Sequence, residues 1–229
     1  MIRILRRPAL VGLTVLAAGA WAGFAATPAQ AQSSMPAPKP LTKPKLPPAV
    51  ALNTQGIAGQ VVGVLPATLV VTRDSLTGKP PFTDRASTIH WVDSLLGESL
   101  MMRAPEVNWK LPAQLRNMAR HAPGIAADPD YMGQSALRSP EIKKVPDPLI
   151  SNMRTLMAIA GGRFMLVPTA ASFHHDSTGA VVMALNLAGV DTRLGDVVFR
   201  SYIITSGPTP TVAFDSAMAI LLPVMSVDP

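Results

Sequence analysis

Residues 163–206 read RFMLVPTAASFHHDSTGAVVMALNLAGVDTRLGDVVFRSYIITS. Three runs within this stretch, Arg163–Phe173, Ala180–Val190 and Val197–Ser206, are rich in β-branched or aromatic residues, the composition that a pleated, half-buried surface favours. Two short polar segments separate them. His175-Asp176-Ser177-Thr178-Gly179 and Thr192-Arg193-Leu194-Gly195-Asp196 each carry the glycine and polar side chains of a tight turn. The spacing predicts an antiparallel three-strand meander. In the middle run Val181, Met183, Leu185 and Leu187 alternate with smaller or polar residues, which suits a sheet with one face covered.

Working outward, the period changes. Upstream, Gln60–Thr72 (QVVGVLPATLVVT) reads as one buried strand interrupted at Pro66. Gly78, Pro80 and Pro81 make 73–83 a loop. From Asp84 to Arg103, Ile89, Val92, Leu96 and Leu100 recur at helical steps, and Leu95, Ser99 and Met102 widen that face. Glu106–Lys110 is a short strand candidate, and Pro112 opens a helix whose stripe is Leu115, Met118, Ala119 and Ala122. Residues 124–145 are irregular and polar, with a turn of helix at 130–137. Another helix starts at Asp147-Pro148 and runs down Leu149, Met153, Leu156, Met157 and Ala160 to Gly161-Gly162. Downstream of the meander, Thr209-Pro210 opens a final helix. The order β-α-β-α-α-β-β-β-α implies an α/β fold, a mixed sheet with a C-terminal antiparallel meander flanked by helices.

This order, with three local patterns, resembles the TolB amino-terminal domain-like superfamily. Val61–Val71 (VVGVLPATLVV) is similar to its opening strand, apolar-V-x-P followed by a variable loop. Asp191–Phe199 (DTRLGDVVF) looks like its D-x-x-T-G-x-V-apolar-W hairpin, with Leu194 in place of Thr and Phe199 in place of Trp. Gly161–Pro168 (GGRFMLVP) matches the entry to its third strand. The likeness covers roughly Gln60 to Pro223. The superfamily includes curli-secretion lipoproteins, the exopolysaccharide-export lipoprotein PelC and outer-membrane activators of penicillin-binding proteins. It implies contact between proteins, and neither catalytic residues nor a cofactor. The chain departs from these lipoproteins in having no cysteine for a lipid anchor, so membrane pore formation is not carried over.

The charge is uneven. The net charge is +6, yet Arg3, Arg6, Arg7, Lys39, Lys43 and Lys45 all precede Val50, where there is no Asp or Glu. From Val50 onward 14 basic residues face 14 acidic ones. The basic start, the apolar run Ala9–Ala26 and Ala29-Gln30-Ala31 read as a signal peptide, residues 1–31, cleaved after Ala31. The alternative is an uncleaved anchor. Residues 32–49 form a Pro/Lys-rich linker, whose six prolines and three lysines in Gln32–Pro48 suit an extended tether. A single domain, 50–229, follows. A neutral domain with few aromatics argues against a nucleic-acid partner. Membrane contact is expected only through an uncleaved signal or, weakly, through the tether lysines.

The absence of cysteine excludes disulfides, thiol nucleophiles and cysteine-ligated metals. His174-His175-Asp176 is the sharpest polar cluster, two imidazoles and a carboxylate that could hold zinc or copper or supply a general base. Neighbours on a strand point to opposite faces, however, and the cluster adjoins a turn where polar residues are expected. His90 and His121 read as helix-surface residues, His121 near a C-terminus that favours positive charge. Asp128/Asp130 and Asp74/Asp84 lack the dense oxygen ligands of a calcium loop. Gly97-Glu98-Ser99 lies within a helix and has no second glycine of a nucleophile elbow, and no glycine-rich phosphate loop follows a strand. The methionines, including the Met101-Met102 pair, read as core filler. The expected function is that of a non-enzymatic exported envelope protein acting through a protein partner or self-association, by its sheet edge or its 73–84 and 124–145 loops. The alternative is a periplasmic metal-binding protein or hydrolase using His174, His175 and Asp176.

Overall fold

The computed structural model describes residues 48–73 and 76–223. The meander forms as expected. β4 (Phe164–His175), β5 (Val181–Asp191) and β6 (Asp196–Gly207) pair antiparallel, with Phe173 opposite Met183 and Met183 opposite Thr205. The β5–β6 turn explains the aspartate that opens its motif. Asp191 Oδ1 accepts the N–H groups of Arg193 (3.0 Å) and Leu194 (3.3 Å), and Gly195 sits at φ 78°, a conformation that disfavours a side chain. Beyond the turn, a Cβ on Gly189 would lie 2.8 Å from Phe199 Cβ, so glycine lets the aromatic residue cross the strand.

The opening segment corrects the expectation of one strand. It makes two, β1 (Val61–Val64) and β2 (Val70–Thr72), laid end to end along the same edge of β4 and parallel to it. Pro66 has no N–H for a ladder, and the residues around it bond elsewhere. The Ala67 N–H turns to Asp93 Oδ1 (2.8 Å), and the Pro66 carbonyl accepts from Gln134 Nε2 (3.1 Å). On β4 the register shifts at the matching level, between Pro168 and Ala170. β3 (Asn108–Lys110) pairs parallel with the far side of β1, giving the order β3-β1-β4-β5-β6, with β2 beside β4.

Four helices flank this sheet. α1 (Arg85–Arg103) begins at Asp84, whose Oδ1 caps the Ser87 N–H at 2.9 Å, and α4 (Pro210–Leu221) begins at Thr209, whose hydroxyl accepts from the Val212 N–H. Both pack on one face. Val92, Leu96, Leu100, Phe214, Ala217 and Met218 meet Phe173, Met183, Leu185 and Ile203 there. Phe82, Trp91 and Phe173 stack at its centre, ring centroids 5.0–5.6 Å apart. α2 (Pro112–His121) and α3 (Leu149–Ala160) pack on the other face, over Met165, Val167 and Val190. Each large side chain removed from water in these layers contributes about 1.5–3 kcal/mol.

Two further readings are corrected. Met101 and Met102 are not core residues, for both are exposed on the side of α1 away from the buried line Leu96, Leu100 and Ala104. The 124–145 segment is more than an irregular loop. It carries two 3-10 turns, Pro129–Tyr131 and Gln134–Arg138, and buries Met132, Leu137 and Val145 against α2 and α3. The signal-peptide expectation lies outside the described residues, as does the linker apart from Pro48 and Ala49. Among the described residues no helix is long and apolar enough to cross a membrane.

Candidate interaction surface

Along β4 and β5 the two faces of the meander differ. Phe173, Val181, Met183, Leu185 and Ile203 are almost wholly buried under α1 and α4. The residues between them point the other way. There the covering layer is incomplete. At the turn-191 end, α3 and the 137–145 segment cover the sheet, and Arg200 donates to the carbonyls of Leu137 and Ile142 at 2.6 Å each. Towards the turn-176 end the cover stops.

Strand register builds the open area in three rows. Ala170, Asn186 and Tyr202 form the first. Val71, Ser172, Ala184 and Ile204 form the second. His174, Val182 and Ser206 form the third. Arg73 still donates its N–H to the Phe173 carbonyl (3.1 Å), so alternation carries its side chain after Val71 to the end of that row. Ile204 is 58 % exposed and Val71 38 %, values that contrast with 0 % at Ile203, beside Ile204 on β6, and at Phe173 on β4, the strand that pairs with β2. The edge of β6 is partly closed. Val197 N–H bonds Lys143 O (2.8 Å) near its start, and Tyr202 N–H bonds Pro48 O (3.3 Å) at its middle. Among the described residues nothing pairs with that edge beyond Tyr202, at Ile204 and Ser206.

The structure separates the three residues singled out for metal or catalysis. His174 lies opposite Val182 on the open face, while His175, one step along β4, lies on the α4 side with Phe173. Asp176 is spent on the hairpin. Its Oδ1 accepts from the Thr178 hydroxyl (2.7 Å), the Thr178 N–H (2.8 Å) and the Ala180 N–H (3.0 Å). The Thr178 hydroxyl, aided by these amides, holds its carboxyl below the usual value. Among the described residues no three His, Cys, Asp or Glu side chains are grouped to hold a metal.

A second polar feature went unread in the sequence. Asp93 is buried on α1 and accepts from Arg116 Nη2 at 2.8 Å. Arg116 also grips both oxygens of Asp130 at 2.8–3.1 Å. Burial pushes the Asp93 carboxyl up against the pull of the Ala67 amide and Arg116, and the Asp130 hydrogen bonds raise Arg116. A signal was present, because Asp93 lies between Ile89 and Gly97 beside the buried stripe, where a carboxylate needs a partner. A cleft of about 350 Å³ opens beside it, lined by Thr68, Arg85, His90, Arg116 and Tyr131. Arg116 there is already paired with Asp93 and Asp130, and Arg85 donates to the Thr68 carbonyl at 3.1 Å. The triad instead ties α1, α2 and the 126–131 segment to the broken strand.

No family model matches the chain, and no curated protein matches it. Solved structures do. The LpoB C-terminal domain from Salmonella enterica is similar at 15 % identity over 66 % of this chain and 84 % of that one, with a TM-score of 0.36. The PelC dodecamer from Paraburkholderia phytofirmans is similar at 12 % identity over 76 % and 94 %, with 0.35. E. coli LpoB is similar at 15 % over 88 % and 96 %, also with 0.35. At such identities and TM-scores, the case for the fold rests on the chain's own strand order and register.

Proposed function

We propose that this chain is a non-enzymatic, exported protein of the cell envelope that acts through protein–protein contact, as an accessory to a secretion or envelope-maintenance complex. The observation that carries the reading is the half-covered sheet. A domain that leaves the turn-176 end of four adjacent strands uncovered on one face, with Val71 and Ile204 exposed there, has an apolar area suited to a partner. The scattered histidines and the Asp176 turn leave catalysis no matching support. The signal-like N-terminus supports export to the periplasm or beyond, and the neutral domain speaks for a protein partner in preference to nucleic acid. The names of the neighbours fit this reading, since one of them, PelC, forms a dodecamer.

The test is site-specific photocrosslinking in the native cell. A photoreactive residue placed at Ala184, on the open face, is expected to give a discrete adduct, and one at Met102, on α1, none. Equal labelling from both positions, or none from Ala184, would refute the contact reading.

A further inference from the structure

The open face joins an apolar centre to a basic border. Its centre is apolar and small, with Val71, Ala184, Val182 and Ile204 around Ser172. Its border is basic. Arg73 closes one end of the His174 row. Arg138 stands below the Ala170 row, with its Nε on the Thr169 carbonyl at 3.1 Å. Arg200 lies two residues before Tyr202 on the same face, held by two carbonyls. None of these three guanidinium groups is paired with a carboxylate among the described residues. By contrast, Arg116 and Arg163 each hold an aspartate. The three rows themselves contain no Asp or Glu. The border of this face is therefore basic, although the chain from Val50 onward is neutral.

The geometry points to an occupant of stated chemistry. We propose that the open face docks an amphipathic helix of a partner protein, with an apolar stripe seated over Val71, Ala184 and Ile204 and with Asp or Glu residues flanking it towards Arg73 and Arg138. Four strands at about 4.8 Å spacing span about 14 Å, enough for one helix about 10 Å across. Such a helix would continue the layer that α2 and α3 supply at the other end. The small residues Ser172 and Ala184 let a backbone approach, and the guanidinium groups match carboxylates better than a lysine would. Complementary borders of this kind set which partner binds and how fast.

This inference rests on the contact reading above, and its test separates the two. The full chain is titrated, by fluorescence anisotropy, with two synthetic 18-residue helical peptides. They share one leucine stripe, flanked in one by Glu and in the other by Lys. The Glu-flanked peptide is expected to bind at least ten-fold more tightly, and its affinity to fall as salt rises. Ile204→Asp is expected to weaken it ten-fold or more, Arg73→Glu to erase the preference for Glu, and Met102→Asp to change nothing. Ile204 and Arg73 are exposed, so both variants should fold, and unfolding curves check that they do. Equal affinity for the two peptides, or indifference to Ile204→Asp, would overturn the proposal. So would sedimentation showing a dimer that Ile204→Asp dissolves, because the occupant would then be a second copy. A failed titration alongside a discrete Ala184 adduct would remove the acidic helix and keep the contact function.

Discussion

Two faces of the same three strands carry opposite instructions. On one, Phe173, Met183, Leu185 and Ile203 vanish under α1 and α4. On the other, Ser172, Ala184 and Ile204 stand between them in the chain yet remain in reach of solvent. Because side chains alternate with period two, one strand serves both purposes without compromise. The lesson is that stability and contact are assigned here by residue parity, so substitutions one position apart should behave as though they lay in different proteins.

The largest expected effect is on the covered face. Phe173→Ala removes a ring packed against Phe82 and Trp91 and should cost about 3–5 kcal/mol in denaturant unfolding. Next comes the tie beneath the broken strand. Asp93→Ala leaves the Ala67 amide and one arm of Arg116 without their partner, for a loss of about 3 kcal/mol, moderated because Arg116 keeps Asp130. A loss below about 1 kcal/mol in the same assay would show that the triad is ornamental to the fold.

The β5–β6 turn should give a smaller, pH-dependent effect. The Arg163 hydrogen bonds, with the amides of Leu194 and Arg193, hold Asp191 below its usual value. A carboxyl lowered on folding contributes stability that is fully present above its unfolded value, about 3.9, and is lost as pH falls through the folded value. Asp191→Asn should therefore cost about 1–2 kcal/mol at pH 7, with half-exposed Arg163 limiting the figure. The gap between variant and wild type should close below about pH 4. A gap independent of pH would mean that geometry, not charge, holds the turn. The smallest effect belongs to the open face, where Ile204→Asp should stay within about 0.5 kcal/mol.

How much of this was legible depends on the range of the interaction. The alternation of Val181, Met183, Leu185 and Leu187 with smaller residues announced the meander and the face that α1 and α4 cover. Asp84, Pro112, Gly161 and Thr209 marked helix ends correctly, because caps are local. The double strand at Gln60–Thr72 was hidden because its break depends on Asp93 and Gln134, residues far along the chain. Asp93 and Arg116 meet across 23 positions, which no period encodes. Met102 failed for a different reason. It lies on a side of α1 away from the line Leu96, Leu100 and Ala104, which stays buried to the helix end, and hydropathy alone cannot mark how wide the covered stripe is. The open face itself emerged only when the 124–145 segment proved to cover one end of the sheet and not the other.

In the proposed division between the two faces, the Ile204 face serves contact and not folding. The most direct measurement pairs two readings on Ile204→Asp: its unfolding midpoint, and the yield of the Ala184 photocrosslink in cells. The midpoint should be unchanged and the crosslink reduced at least ten-fold. A midpoint that falls as far as that of Phe173→Ala, or a crosslink that survives intact, would contradict it.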